Sequence, residues 1–341
     1  MTDLVVGGGA VGTLMAWALA TGGREVAIVR RRLDGPPRQA RIAVVHPAGR
    51  RDEVSVMEVG RPSDLDAAPT LIVFAVKMFD LSAAVASCDG WPSAAALTVS
   101  NGIGAEEVVD GLRDAGLIAG SVTSSVEMGQ DGAVARLNRG GIGLAPVKGE
   151  IEPLVAALVE AFAGAGLRVT RCADPAAMKW SKLVGNLIGN ATSAILDMSP
   201  GEVYADASVY RIERRQLLEA FAVMRGLRLD PVALPGVDVR LLELGLRLPV
   251  QVGRPIIRRI IAGARGRKHP SLRLHAGSGS GPSEVEWLNG AVDREAKRLG
   301  RVTPVNRRLT ELVGEILADP DRRAWFRGRP DRLVADLERP G

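Results

Sequence analysis

A lysine and two asparagines form the strongest chemical pattern in the second half of the chain. Lys182, Asn186 and Asn190 are four residues apart, which predicts that they share one face of a helix. Leucine, isoleucine and valine surround them along the chain. A lysine ammonium can stabilise negative charge on a carbonyl oxygen and donate a proton to it. The alternative interpretation is the solvated polar face of an amphipathic helix.

A second polar group follows in Ser283–Gly290. Ser283 can cap a helix that begins there, and Glu284 and Glu286 lie in its first turn, where carboxylates suit the helix dipole. Because capping alone explains these residues, the segment by itself does not indicate a site.

The beginning of the chain has the pattern of a dinucleotide-binding turn. Gly7, Gly9 and Gly12 have the GxGxxG spacing, follow a short apolar run and open a helix-forming segment. The first glycine permits a tight turn, the second lets the backbone approach a pyrophosphate, and the third lets helix and strand pack closely. We therefore expect a dinucleotide to be bound by Gly7, Gly9, Ala10, Val11 and Gly12. The alternative is a purely structural glycine turn.

Three arginines follow the second predicted strand. An NAD enzyme would present Asp or Glu about 20 residues after the glycines, whereas this chain has Arg30-Arg31-Arg32. A guanidinium can bind a 2′-phosphate through two hydrogen bonds, whereas a carboxylate would repel it. The sequence therefore favours NADP(H) over NAD(H) as the cofactor. A solvated basic turn is the alternative.

Two kinds of segment must position these residues. In the first half, short apolar strands alternate with helical segments, which predicts a parallel sheet with right-handed crossovers. The predicted strands are Leu4–Val6, Val26–Val29, Leu71–Val76 and Ala96–Ser100. After about residue 172 the apolar spacing is helical almost throughout.

These patterns predict an α/β fold class with two domains. We expect an N-terminal Rossmann-type dinucleotide-binding domain over residues 1–173 and a C-terminal all-α domain over residues 174–320. The charged tail at 321–341 is expected to form a short helix or to be partly disordered.

The composition narrows the class of protein. The 341 residues contain two cysteines and three histidines without a CxxC pair, which argues against a disulfide framework and a metal site. No apolar run reaches the roughly 18 residues that a membrane span needs, and the start of the chain lacks a basic signal-peptide region. The net charge of +5 reflects arginines that are scattered along the chain. We therefore expect no nucleic-acid or membrane partner, and a cytoplasmic location.

Taken in order, these segments resemble the ketopantoate reductase (2-dehydropantoate 2-reductase) family from Gly7 to about Leu312. Each motif is modest, and the ordered set is specific. The motifs are the glycine fingerprint, Val76-Lys77, Ser100–Gly104, Trp180–Thr192, His269–Ser271, Ser283–Gly290 and Thr303–Asn306. The family combines a Rossmann domain with a helical domain.

The resemblance implies which residues are catalytic. Lys182 matches the family's catalytic lysine, and Glu284 matches its acidic residue, with Ser283 in place of threonine. Asn101 matches an asparagine that lies beside the nicotinamide and the lysine. Lys182 and Glu284 are also expected to contact the substrate.

The resemblance also implies binding residues. Lys77 and Arg31 match positions on the cofactor side, with Arg31 at the 2′-phosphate. The remaining matches to substrate-contacting positions are Asn186, Asn190 and Ser271.

The family reduces 2-dehydropantoate to (R)-pantoate with NADPH, on the way to pantothenate and coenzyme A. The resemblance therefore implies an NADP(H)-dependent oxidoreductase of the CH–OH class that acts on a small 2-oxo acid, as a monomer or homodimer. Lys182 would be its general acid. Two alternatives stay open: a paralogue that reduces another 2-oxo acid or ketone, and a non-catalytic protein that senses NADP(H).

Several positions differ from the family's usual residues. Asp80 stands where glutamine often follows the Lys77 segment, and Leu272–His275 replaces Met-Leu-Gln-Asp. A Gly/Ser loop at 276–281 adds length and is either a mobile lid or a surface insertion. The changes after Ser271 favour the paralogue somewhat.

Overall fold

The computed structural model describes residues 2–110, 115–265, 272–273 and 282–338, with only the backbone for 260–265. The chain divides into two compact units. The first comprises Met1–Lys179 and Leu234–Gly236, and the second comprises Trp180–Ala233 and Val237–Gly341. The boundary predicted at 173–174 lies six residues ahead of this division.

The first unit is built on a sheet of eleven described strands. Its strands are β1 (Thr2–Val6), β2 (Glu25–Val29), β3 (Arg38–Val45), β4 (Arg51–Val59), β5 (Leu71–Phe74), β6 (Ala95–Thr98), β7 (Leu117–Val122), β8 (Val126–Met128), β9 (Val134–Arg136), β10 (Gly141–Lys148) and β11 (Arg168–Arg171). Its helices are α1 (Ala10–Thr21), α2 (Met78–Ala86), α3 (Ala105–Asp110) and α4 (Glu152–Gly164). The order across the sheet is β11-β10-β7-β6-β5-β1-β2-β4-β3-β9-β8.

The centre of the sheet is parallel, as the apolar runs predict. Strands β7, β6, β5, β1, β2 and β4 run parallel to their neighbours in this stretch. Helix α1 links β1 to β2, and α2 links β5 to β6 in the opposite direction across the sheet. Right-handed crossovers therefore place the two helices on opposite faces. This buries the central strands on both sides, which explains their continuous apolar sequences.

The flanks of the sheet were not predicted. Strand β3 pairs antiparallel with β4, β10 pairs antiparallel with β7, and β8 pairs antiparallel with β9. The first residues of β3 and of β4 are largely exposed and include several charged side chains, so neither strand is a continuous apolar run. Their pairing depends on neighbours that sequence periodicity does not reveal.

The second unit is helical. Helix α5 (Pro175–Leu187) begins in the first unit and continues into the second. It is followed by α6 (Ala191–Leu196), α7 (Pro200–Ala205), α8 (Ala207–Gly226), α9 (Val239–Arg247), α10 (Val250–Arg265), α11 (Asn289–Arg298), α12 (Pro304–Ala318), α13 (Pro320–Phe326) and α14 (Pro330–Leu337). Two short strands, β12 (Ala233–Leu234) and β13 (Val237–Asp238), precede α9.

Helix α8 lies at the centre of this unit and packs against α7, α9, α11, α12 and α14. The tail is part of the unit, because α13 packs on α12 and α14 packs on α8. The first unit is thus a Rossmann-like α/β domain and the second is helical, as predicted.

None of the described helices is both long enough and apolar enough to cross a membrane.

Candidate functional site

Of the three glycines of the GxGxxG pattern between β1 and α1, two are closely packed and the third is open. Gly7 has a φ of +121°, and an added Cβ would lie 2.6 Å from the carbonyl oxygen of Ala75. On Gly12, an added Cβ would lie 1.7 Å from the carbonyl oxygen of Gly7. On Gly9, it would meet no heavy atom of the described chain within 4 Å. The open side of the turn is therefore at Gly9, where the GxGxxG pattern predicts the pyrophosphate.

Helix α1 begins at this open position. Gly9 is its N-cap residue, and no side chain of the described residues caps it. The first amides, at Ala10, Val11 and Gly12, have no partner within the helix, and the helix dipole is positive at this end. These groups fit phosphate oxygens, so the turn fits a dinucleotide.

Arg30 holds the glycine turn in place. Its Nη1 donates to the carbonyl oxygen of Gly8 and, at 3.2 Å, to Oγ1 of Thr13. Its Nε donates to the carboxylate of Glu58 at 3.0 Å. The arginine run in the sequence gives no sign that Arg30 has this structural role. The strand pairing that brings Glu58 beside the end of β2 was not visible in the sequence.

Arg31 is the arginine that faces solvent beside the turn. Its side chain is 71% exposed, and its Nη2 lies 3.1 Å from Oδ2 of Asp80, in the first turn of α2. An exposed guanidinium that follows β2 fits the phosphate-binding position predicted for this residue.

Lys77 and Asn101 lie at the same edge of the sheet as the glycine turn. Lys77 is the exposed N-cap residue of α2, after β5, and Asn101 is exposed after β6. Gly102 and Gly104 follow with φ values of +95° and +105°, which only glycine adopts readily. Strands β1, β2, β5 and β6 are parallel neighbours, so their carboxyl ends meet at one edge. The structure thus brings the predicted cofactor-side residues, Arg31 included, to one place.

A buried lysine binds the backbone near this edge of the sheet. Lys179, on the first half of α5, is only 5% exposed, and its Nζ lies 3.0 Å from Oε1 of Glu106 on α3. The same Nζ donates to the carbonyl oxygens of Ser100, at 3.1 Å, and Gly120, at 3.3 Å. Thr98 donates to the Glu106 carboxylate at 2.5 Å. Lys179 therefore ties α5 to the ends of β6 and β7.

Lys179 also restrains the two exposed segments that carry Asn101 and Lys77. It holds Ser100, the residue before Asn101, and Ser100 Oγ donates at 2.8 Å to the carbonyl oxygen of Val76, the residue before Lys77. Lys179 was not among the predicted residues, because nothing in the sequence around a lysine three residues before Lys182 indicates its burial.

In the second unit, Lys182 and Asn186 are half-buried on the second half of α5. Asn190 lies beyond the helix, which corrects the expectation that the three residues share one helical face. Helix α5 ends at Leu187, and Gly189 has a φ of +56°, a left-handed conformation that terminates helices.

Asn190 is buried at the start of α6 and binds the backbone. Its Oδ1 accepts a hydrogen bond from the amide of Leu272 at 3.2 Å. Leu272 directly follows Ser271, which lies outside the described residues, as does the 276–281 loop. Asn190 thus orders the chain next to the predicted substrate-binding serine.

A fully buried carboxylate fixes the turn that carries Asn190. Glu213, on α8, accepts hydrogen bonds from the amide of Gly189 and from the hydroxyls of Thr192 and Tyr204, at 2.6–2.7 Å. Gln216 donates to it at 2.7 Å. Four donors compensate the desolvation of this carboxylate. Glu213 was not among the predicted residues, because charged residues are common on amphipathic helices.

Glu284 is buried, although its position in the sequence resembles a capping turn. Ser283 Oγ accepts from the amide of Val285 at 3.2 Å, so Ser283 caps the turn as predicted. The turn is a 3₁₀ helix, Glu284–Trp287, ahead of α11. Glu284 is only 6% exposed, whereas the side chain of Glu286 is 60% exposed. Capping explains the exposed Glu286 and does not explain the burial of Glu284.

The first unit therefore carries Arg31, Lys77, Asn101 and the glycine turn. The second carries Lys182, Asn186, Asn190 and Glu284.

Two sequence models of one family match the two halves of the chain. The model described as "Ketopantoate reductase PanE/ApbA" matches residues 4–149, and its C-terminal counterpart matches residues 174–317.

Curated relatives and solved structures point to the same family as the sequence models. The 2-dehydropantoate 2-reductase of Halobacterium salinarum is 26% identical over 320 residues, which cover 92% of this chain and 98% of that protein. A PanE/ApbA family ketopantoate reductase of Ralstonia eutropha superimposes with a TM-score of 0.75 at 25% identity, covering 95% and 100% of the two chains. D-mandelate dehydrogenase, solved with NADH and anilino(oxo)acetate, has the same fold, with a TM-score of 0.73, 19% identity and coverage of 93% and 99%. From these matches along both halves, the chain belongs to the ketopantoate reductase family.

Proposed function

We propose that the protein reduces 2-dehydropantoate to (R)-pantoate with NADPH. The observation that carries this proposal is the match of both halves to one reductase family, together with relatives named 2-dehydropantoate 2-reductase that align over about nine tenths of the chain. The positions at which the family's catalytic residues are expected hold Lys182, Glu284 and Asn101.

The first unit would hold the cofactor. The amides at the start of α1 bind the pyrophosphate, and Arg31 binds the 2′-phosphate. Lys77 and Asn101, at the same edge of the sheet, contact the rest of the dinucleotide. When bound, NADPH supplies a hydride for the ketone carbon of the substrate.

The second unit would supply the acid chemistry. As negative charge grows on the carbonyl oxygen, the Lys182 ammonium stabilises it and then donates the proton that completes the hydroxyl group. Half-burial strengthens this interaction, because water screens it less. Glu284 binds the substrate hydroxyl, Asn186 contacts the substrate, and Ser271 binds its carboxylate. The buried Asn190 holds the backbone at Leu272, next to Ser271.

A second candidate is the reduction of another 2-oxo acid. D-mandelate dehydrogenase has the same fold, and the residues after Ser271 differ from the family's usual pattern. Of those residues, Leu272 is buried and Arg273 Nε pairs with Asp197 at 2.9 Å. Because the Arg273 guanidinium is paired with the Asp197 carboxylate, we interpret Arg273 as a residue that packs this segment against Asp197 rather than as a cation that binds the substrate.

The test is the rate of NADPH oxidation, followed by absorbance, with 2-dehydropantoate and a panel of other 2-oxo acids. Oxidation with 2-dehydropantoate at a much higher kcat/KM than with the other acids supports the proposal. If NADPH is oxidised only with a different acid, that acid is the substrate and the second candidate is supported. NADPH binding without turnover on any acid would contradict both candidates and favour an NADP(H) sensor.

A further inference from the structure

A carboxylate lies against the arginine assigned to the 2′-phosphate. Asp80 Oδ2 is 3.1 Å from Nη2 of Arg31, and the two side chains are 33% and 71% exposed. Asp80 lies in the first turn of α2.

This ion pair crosses the end of the strand that leads into the glycine turn. Strands β2 and β5 pair with β1 from opposite sides. With strands about 4.8 Å apart, the ends of β2 and β5 are separated by about 10 Å. Arg31 follows β2 and Asp80 follows β5, so the pair spans the carboxyl end of β1. Gly7 lies against Ala75 and Val76, which directly precede Lys77 and α2, so a dinucleotide at the glycine turn would bind beside the segment that carries Asp80.

The carboxylate opposes a phosphate here in two ways. It competes for the Arg31 guanidinium, and its charge repels a 2′-phosphate bound beside it. Neither effect applies to NADH, whose 2′-hydroxyl is uncharged. The Asp80 carboxylate therefore weakens the binding of NADPH and leaves the binding of NADH unchanged.

We propose that Asp80 is a specificity-determining residue that weakens the preference for NADPH over NADH. This inference rests on the proposed function, because it concerns the cofactor of that reaction. Arg31 attracts the 2′-phosphate and Asp80 offsets part of that attraction. The wild-type protein accordingly has a smaller NADPH preference than Arg31 alone would produce.

The Asp80→Asn variant isolates this effect, because it keeps the size of the side chain and removes its charge. The exposed ion pair contributes little to folding, so the variant is expected to fold normally. Asp89→Asn is the matched control: Asp89 is exposed just beyond the other end of α2, and its loss changes the net charge equally. Circular dichroism checks that both variants are folded.

The steady-state measurement compares kcat/KM for NADPH and NADH in the three proteins. We expect Asp80→Asn to raise kcat/KM for NADPH about five- to tenfold, the size of one exposed charge–charge interaction, with little change for NADH. Asp89→Asn should leave the ratio unchanged. An unchanged ratio in Asp80→Asn, or an equal change for both cofactors, would overturn the proposal.

A binding measurement separates this inference from the proposed reaction. Calorimetry with 2′,5′-ADP and with 5′-AMP reports the 2′-phosphate without turnover. Tighter binding of 2′,5′-ADP alone by Asp80→Asn supports the role of Asp80, even if no 2-oxo acid is reduced and the proposed reaction fails. If the enzyme reduces 2-dehydropantoate but both nucleotides bind Asp80→Asn as they bind the wild type, the reaction stands and the role of Asp80 is refuted.

Discussion

At the scale of single residues, burial separates side chains that are equivalent in the sequence. Glu284 and Glu286 share one turn, yet only Glu284 is withdrawn from water. Arg30 and Arg31 are adjacent, yet Arg30 braces the glycine turn while Arg31 stays exposed. A buried charge costs free energy unless other groups compensate it, so burial of a charged residue indicates a structural or catalytic task.

Replacing Lys182 by alanine should remove the proton donor. We expect Lys182→Ala to lower kcat by about 10²–10⁴-fold, the usual loss for a general acid. Stopped-flow or steady-state oxidation of NADPH measures this. Lys297→Ala is the control, because Lys297 is an exposed lysine of the same unit whose ion pair in the described part of the chain is with Asp293 on its own helix. A nearly normal rate in Lys182→Ala would refute the assigned role.

The glycines of the turn should respond differently to substitution. Gly9→Ser places a good N-cap residue in open space, so we expect unchanged stability and a loss of NADPH affinity of at least tenfold, because the side chain occupies the phosphate position. Gly12→Ala forces a Cβ against the Gly7 carbonyl, so we expect destabilisation of about 2–4 kcal/mol.

Urea denaturation and a nucleotide titration of both variants check these expectations. Normal NADPH affinity in Gly9→Ser would mean that the phosphate does not bind at this turn.

At the scale of elements, paired charges join segments that are distant in the sequence. Lys179 connects α5 to α3 and to the ends of β6 and β7 in the first unit. In the second unit, Asp336 on α14 binds Arg308 of α12 and Arg322 of α13. Neither set of contacts lies on one helix face, so each depends on how elements pack.

Breaking the Lys179 pair on one side should destabilise the first unit. Lys179→Met leaves Glu106 without its buried cation, and we expect a loss of about 3–5 kcal/mol in the free energy of unfolding. The double variant Lys179→Met/Glu106→Gln should recover part of that loss, because no unpaired charge remains. Urea denaturation followed by circular dichroism measures both. No recovery would show that the hydrogen bonds from Lys179 to the carbonyl oxygens of Ser100 and Gly120, rather than its pairing with Glu106, account for the lost stability.

The C-terminal helices should weaken in acid. Burial raises the pKa of Asp336, but the hydrogen bonds and charges of Arg308 and Arg322 outweigh it, so the net pKa lies below the ordinary aspartate value. The contribution to stability is therefore complete above the unfolded pKa and is lost as the pH falls through the folded pKa. We expect Asp336→Asn to cost about 1–2 kcal/mol at pH 7 and nothing in strong acid.

Thermal unfolding at several pH values, with wild type and Asp336→Asn compared, tests this. An equal difference between the two proteins at every pH would contradict the assigned ionisation.

At the scale of the whole molecule, the chain forms two units, each with buried side chains of its own. The first unit has a sheet core that includes Trp17, Leu97 and Phe162. The second has helical packing around residues such as Tyr210 and Phe221. A ligand that binds only one unit should stabilise that unit directly.

NADPH should protect the first unit. At about 100 times its Kd, we expect it to add about 2.7 kcal/mol to the stability of the unit it binds. Hydrogen exchange read by mass spectrometry should show slower exchange in β1, α1 and the residues after β2. At the same NADPH concentration, Gly9→Ser should show clearly weaker protection, because its affinity is expected to be at least tenfold lower. Protection confined to the helical unit would contradict the assignment of the cofactor to the first unit.

Much of the cofactor half followed from local sequence rules. A GxGxxG turn between an apolar strand and a helix requires glycines at two positions for steric reasons, and the structure places Gly7 and Gly12 accordingly. The central strands β1, β2, β5 and β6 were predicted because burial on both faces imposes continuous apolar runs. The helical second half followed from the spacing of its apolar residues, and the ordered motifs predicted the family.

Other features were decided only by tertiary structure. These features depend on contacts between residues that are far apart in the chain. They are the antiparallel flanks of the sheet, the pairing of Arg31 with Asp80, and the burial of Lys179, Glu213 and Glu284. Periodicity reports which face of an element is apolar, but it does not report which other element covers a given charge. Helix α5 ends before Asn190, just ahead of Gly189, which has a φ of +56° and whose amide donates to the buried Glu213 of α8. Local propensity therefore determined the elements and the motifs, while packing decided which charged side chains are buried and which partners hold them.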